Sequence, residues 1–68
     1  MEDKYSKVIN FIKSCPSGTA LTQSDIARNV GISKPTIGKY LPLMLARNEI
    51  DDIVDTQRIG GNIILIRR

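Results

Sequence analysis

Residues Leu21 to Leu41, LTQSDIARNVGISKPTIGKYL, leave this chain few choices, because glycine at position 31 separates two short apolar periodicities with no room for a long loop. The Thr22 hydroxyl can accept the Asp25 N–H while the Asp25 carboxylate reaches back to the Thr22 N–H. This is a capping box with Asp in place of Glu, and it starts a helix at residue 23. Ile26, Ala27 and Val30 then fall on one face. Gly31 can adopt the left-handed conformation that ends a helix cheaply, and Ile32 can plug the corner that follows. Ser33 can cap a second helix, whose buried stripe is expected to be Ile37, Leu41 and Met44 or Leu45.

Ala27, Gly31, Ile32, Ser33, Thr36, Ile37 and Leu41 together resemble the winged helix-turn-helix family of DNA-binding domains, common among small prokaryotic, archaeal and viral transcription regulators. The family has a small residue in the middle of its first motif helix, a glycine at the turn and an aliphatic after it. A Ser or Thr cap, a Thr-aliphatic pair and a Leu four residues on complete the motif. It then typically runs Leu, a few variable residues, Gly, aliphatic, Ile; here Leu45 to Ile50 fills that run, with Asn48 in place of Gly. Asn is the next-best residue for a left-handed C-cap. Pro42 departs from the pattern. Within a helix it removes one backbone bond and presses on the Gly38 carbonyl, at about 3 kcal/mol or more, so a kink near residues 38–42 or an early break is expected.

The resemblance implies an α+β fold, a winged helix-turn-helix of three helices followed by a two-stranded β-hairpin wing, with a short extra strand near residues 20–21. Residues 1–68 would form one such domain. Helix one occupies about 3–14, the helix-turn-helix about 22–47 and the wing about 50–67. The residues support this layout independently. Tyr5, Val8, Ile9 and Ile12 lie at helical spacing, with Phe11 beside them and Asp3 placed to cap. Cys15-Pro16-Ser17-Gly18 ends that helix. After Ile50 the pattern turns β-branched around Gly60-Gly61, a pair able to supply the positive φ angles of a two-residue hairpin turn between strands 53–59 and 62–67. In that register Ile59 faces Asn62 and Arg58 faces Ile63, close to the tip. Strand 62–66 is apolar on both faces, so either helix one or a partner subunit is expected to cover the second.

Composition excludes several functions. The sequence contains no His, which leaves general acid–base work at neutral pH without its usual agent, and no Gly-rich phosphate loop follows a strand. The chain therefore reads as a binding protein and not an enzyme. Asp51, Asp52 and Asp55 have no calcium-loop spacing, so no metal and no cofactor are expected. The single cysteine, Cys15, makes neither a disulfide framework nor a CxxC pair, which fits a reducing interior. No apolar run is long enough to cross a bilayer, and no signal peptide is evident. A cytoplasmic location is expected, associated with the nucleoid if the chain binds DNA.

Net charge is only +3, yet no acid lies between Asp25 and Glu49, where Arg28, Lys34, Lys39 and Arg47 all fall. The acids gather instead at Glu2, Asp3, Glu49, Asp51, Asp52 and Asp55. Such a distribution suits one face that meets phosphate and another that stays in water. The resemblance implies sequence-specific binding of double-stranded DNA in transcription regulation, with the second motif helix, about 34–47, in the major groove and the wing on backbone or minor groove. Ser33, Lys34, Pro35 and Thr36 occupy the reading turn. Lys34 can donate to guanine or phosphate, Thr36 can bond phosphate or touch a thymine methyl, and Lys39 and Tyr40 flank the groove. Gln23 and Ser24 hold the positions from which the family touches phosphate; Arg28 projects from the same helix, and Arg58 sits at the wing tip. Gly38 either admits the sugar-phosphate chain or relieves Pro42. Two other readings stay open: a winged-helix protein-interaction module within a larger assembly, and a reader of RNA or an unusual duplex. A homodimer would have to pair through helix one or the Ile-rich strand 62–66, because the extra C-terminal helix many relatives use is lacking.

Overall fold

The computed structural model describes residues 3–68; Glu2, one of the acids near the N-terminus, lies outside them. Its elements run α1 (Lys4–Ser14), β1 (Ala20–Leu21), α2 (Gln23–Val30), α3 (Lys34–Ala46), β2 (Val54–Ile59) and β3 (Asn62–Arg67). The strands form one antiparallel sheet in the order β1-β3-β2, so the fold is α+β in a winged-helix-like arrangement. Asp3 starts α1 by accepting the Ser6 N–H at 2.7 Å. Val8, Ile9 and Ile12 of α1 enter the core together with Ile26 and Val30 of α2 and Ile37, Leu41 and Met44 of α3.

The turns follow their residues. Both halves of the Thr22–Asp25 capping box form, at 3.1 and 3.2 Å. Gly31 adopts φ 71°, and the N–H groups of Gly31 and Ile32 both reach the Ala27 carbonyl, which ends α2 and turns Ile32 into the core. At the end of α3, Asn48 takes φ 56°. Its N–H donates to the Leu45 carbonyl at 3.2 Å while the Glu49 N–H donates to Met44 at 3.0 Å, the paired bonds of a Schellman ending. The chain then drops Ile50 into the core and turns through 50–53, so β2 begins at Val54, later than the expected starts of wing and strand. The Ile53 and Val54 N–H groups both donate to the Ile50 carbonyl, at 3.0 and 3.1 Å, so the chain is bonded to itself through Asp51 and Asp52 and pairing does not extend to them.

The hairpin closes as its sequence requires. Gly60 and Gly61 have φ 56° and 84°, the condition of a two-residue type I′ turn, and Ile59↔Asn62 and Arg58↔Ile63 are partners. β1 pairs Ala20 with Ile66 and Leu21 with Leu65. Ile63 and Leu65 face the core, whereas Ile64 and Ile66 on the opposite face are half-buried, and α2 is the helix that meets β3 most extensively.

Pro42 does not break α3, which runs unbroken from Lys34 to Ala46. Its ring is exposed, and Ile37, Leu41 and Met44, all fully buried, hold the helix to the core before and after it. Gly38 is half-buried and faces α2 instead of the outer arc. A Cβ built there would meet Gln23 Oε1 at 3.6 Å, an ordinary contact. Gly38→Ala is therefore expected to raise the unfolding free energy by about 0.5–1 kcal/mol, the advantage of Ala over Gly in a helix interior. Urea unfolding checks this; a loss of stability would mean that the glycine backbone is accommodating Pro42.

Candidate nucleic-acid interface

The capped start of α2, the first turn of α3 and the wing enclose a cleft of about 290 Å³. Thr22, Gln23 and Ser24 of the α2 start, Lys34 of α3 and Ile59 and Asn62 of the wing all line it, and no acid does. Its shape follows from local rules. The capping box fixes the direction in which α2 leaves β1, and the Gly31 turn folds α3 back until Lys34 stands by Gln23. Ile63 and Ile64 complete the lining. Because Ile59 and Asn62 close a two-residue turn as a hydrogen-bonded pair, alternation directs the Ile63 N–H and carbonyl away from β2, toward the side where β1 stops at Leu21.

Of the residues expected to bind, the structure thus gathers Gln23, Ser24 and Lys34. Arg28, Pro35 and Lys39 are exposed nearby in sequence, on the outer sides of α2 and α3. Ser33 occupies the N-cap of α3, yet its side chain caps no backbone N–H; its Oγ lies 2.7 Å from the Thr36 hydroxyl. The first-turn amides of Lys34 and Thr36 are thereby left to other acceptors, since Pro35 has none to offer.

Charge is divided sharply. Among the described residues the ion pairs are Arg47–Glu49 at 3.1 Å and Arg68–Asp55 at 3.0 Å. Arg47 is thereby neutralised, while Arg28, Lys34, Lys39 and Arg58 keep uncompensated charge. Arg67 also turns inward, donating to the Ile53 carbonyl at 3.1 Å.

Two of the residues expected to bind stand outside the cleft. Tyr40, expected to flank the groove, is half-buried with its ring 5.5 Å from that of Tyr5 at 84°. It belongs to the joint between α1 and α3, because the phase of α3 puts it beside the buried stripe. Arg58 projects from the face of β2 opposite to Ile59 and does not line the cleft. Ile59, Asn62, Ile63 and Ile64 are the wing residues that do, and of these Asn62, the polar one, was not among the residues expected to bind. The strand register held the signal, since residues 59 and 62 share a face, but the choice of face depends on how the hairpin twists over α2. Comparison with protein-family models, with curated proteins and with solved structures gave no match.

The Tyr5 joint carries a pH signature. The Tyr5 hydroxyl donates to Glu49, and the Arg47 guanidinium lies 5.5 Å from its ring centroid. Desolvation, then the hydrogen bond and charge of Glu49, raise the Tyr5 pKa above its ordinary 10.0. Stability from this joint is full below the unfolded value and declines as pH climbs from there through the folded value, because the unfolded chain ionises first. Tyr5→Phe should flatten that alkaline decline; equal slopes in the two proteins, measured by urea unfolding at stepped pH, would remove Tyr5 as its cause.

Proposed function

We propose that this chain binds double-stranded DNA in a sequence-specific manner as a transcription regulator, with α3 in the major groove and the wing against the adjoining backbone or minor groove. The observation that carries this reading is the acid-free cleft that joins Lys34, Gln23 and Ser24 to Asn62 of the wing, beside cations that have no acidic partner among the described residues. Such a surface suits a phosphate chain, which hydroxyl, amide and ammonium donors hold together. Free first-turn amides of α3 add donors where the helix dipole favours an anion. Arg58, on the other face of the hairpin, reaches a separate stretch of backbone or minor groove. On this reading the chain works as a winged helix-turn-helix regulator in the cytoplasm, at the nucleoid.

The protein-docking alternative draws support from one specific feature: Leu43 on α3 and Ile59 on the wing are 45% and 58% exposed. An RNA or unusual-duplex reader is less well served, because stacking devices are aromatic and Tyr40, the last aromatic in the chain, packs on Tyr5. Self-association through strand 62–66 would need its face, as β3 is the central strand; otherwise it falls to α1.

Fluorescence anisotropy of a random-sequence duplex at several salt concentrations, with sedimentation on the same samples, tests the proposal. Affinity should fall steeply with salt, and Lys34→Ala with Lys39→Ala should lower the log–log slope by roughly 0.9 for each phosphate no longer neutralised. An unchanged slope would remove both lysines from the interface. Arg58→Ala should weaken binding while leaving the unfolding midpoint in place; intact affinity with a lowered midpoint would assign Arg58 to the fold.

A further inference from the structure

We propose that the outward face of α3 reads the C5-methyl groups of the major groove, so that the duplexes preferred are those rich in thymine; this rests on the duplex-binding reading above. Ile37, Leu41 and Met44 fix which side of α3 faces the core. The opposite arc carries Pro35, Lys39, Pro42, Leu43 and Ala46, all exposed. That arc holds one ammonium group and otherwise only carbon. Arginine, which pairs with guanine, is missing from it, as are Asn and Gln for adenine and Asp and Glu for cytosine. Lys39 alone can donate to a base edge. Thr36, at the margin of the arc, has its hydroxyl engaged by Ser33 at 2.7 Å.

The apolar part of this face has a counterpart in the groove. The one hydrocarbon group that B-DNA presents there is the methyl of thymine, which contact with an apolar side chain recognises. Leu43, 45% exposed, is the largest aliphatic on the arc and stands one turn beyond Lys39. Charge selects a polyanion as the occupant in preference to an apolar protein surface. Among the described residues Lys34 and Lys39 have no acidic partner, and no acid occurs between Asp25 and Glu49 to repel phosphate. Attraction to phosphate would hold the helix in place, and the methyl contacts would select among sequences.

Alternating dA-dT and dA-dU duplexes of equal length separate these effects, because uracil lacks only the methyl and keeps every hydrogen-bonding group and phosphate. Anisotropy titrations at low salt should find the dA-dT duplex bound more tightly, by roughly fourfold for each methyl buried, the factor of one buried methylene. Leu43→Ala should shrink this ratio with an unchanged thermal midpoint, since the side chain is outside the core. Lys39→Ala should weaken both duplexes alike. An alternating dG-dC duplex should gain affinity when its cytosines carry 5-methyl groups.

Equal binding of the dA-dT and dA-dU duplexes would overturn methyl reading and leave duplex binding standing. A preference for dA-dT that Leu43→Ala leaves intact would also overturn it, by assigning the preference to duplex shape. Failure of all these duplexes to bind at low salt would overturn the duplex-binding reading itself and turn Leu43 into a protein contact.

Discussion

Leu21 and Leu65 lie opposite each other across the shortest pairing in the molecule, both removed from water, and this pairing joins the helical half of the chain to the hairpin. One residue further on, Thr22 caps α2. The direction of α2 is therefore set from a point already tied to β3, and the distance from the start of α2 to the wing is fixed by the same tie. Backbone bonds just outside the pairing strengthen it: the Gly18 N–H donates to the Arg67 carbonyl at 2.6 Å and the Arg67 N–H to the Thr19 carbonyl at 2.8 Å. A cleft bounded by elements from both halves would not hold its shape if two residues of strand did not connect them.

What could be read from the sequence was mostly punctuation. Thr22 with Asp25, Gly31, Asn48 and Gly60-Gly61 act over six residues or fewer, through φ angles and local hydrogen bonds, so each specifies its turn before any tertiary contact exists. The short strand at 20–21 was legible through resemblance more than through local signal. Orientation was harder. Tyr40 borders the buried stripe of α3, and only the crossing of α1, which brings Tyr5 within ring contact, decides where it points. The Ser33 hydroxyl had two acceptable partners within one turn and took the Thr36 hydroxyl. Pro42 carried a real local penalty, but its ring faces solvent and the neighbouring turns are anchored in the core, so tertiary packing outweighs it.

The cations divide by the same logic. Arg47, Arg67 and Arg68 are consumed in joining elements: Arg47 to Glu49, Arg67 to the Ile53 carbonyl and Arg68 to Asp55. Arg28, Lys34, Lys39 and Arg58 form no ion pair among the described residues. Nothing in residue type separates these groups. The difference lies in position, because the first group sits within reach of the acids and carbonyls around residues 49–55 and the second does not. Counting net charge would rank all seven equally, whereas the second group, like the exposed Lys4, Lys7 and Lys13 of α1, has no ion pair among the described residues and contributes an outward field.

The strand order β1-β3-β2 also governs how the domain is made. β3 is last of the elements in chain order but occupies the middle of the sheet. On the ribosome, α1, α2 and α3 emerge first and can collapse on one another, yet Leu21 and Val54 have no strand beside them until residues 62–67 have left the exit tunnel. Each nascent chain thus passes through an interval in which two strand edges and their aliphatic side chains stand open, the condition under which growing chains are captured by chaperones or by one another. The tight Gly60-Gly61 turn shortens that interval, since β2 waits only two residues for its partner.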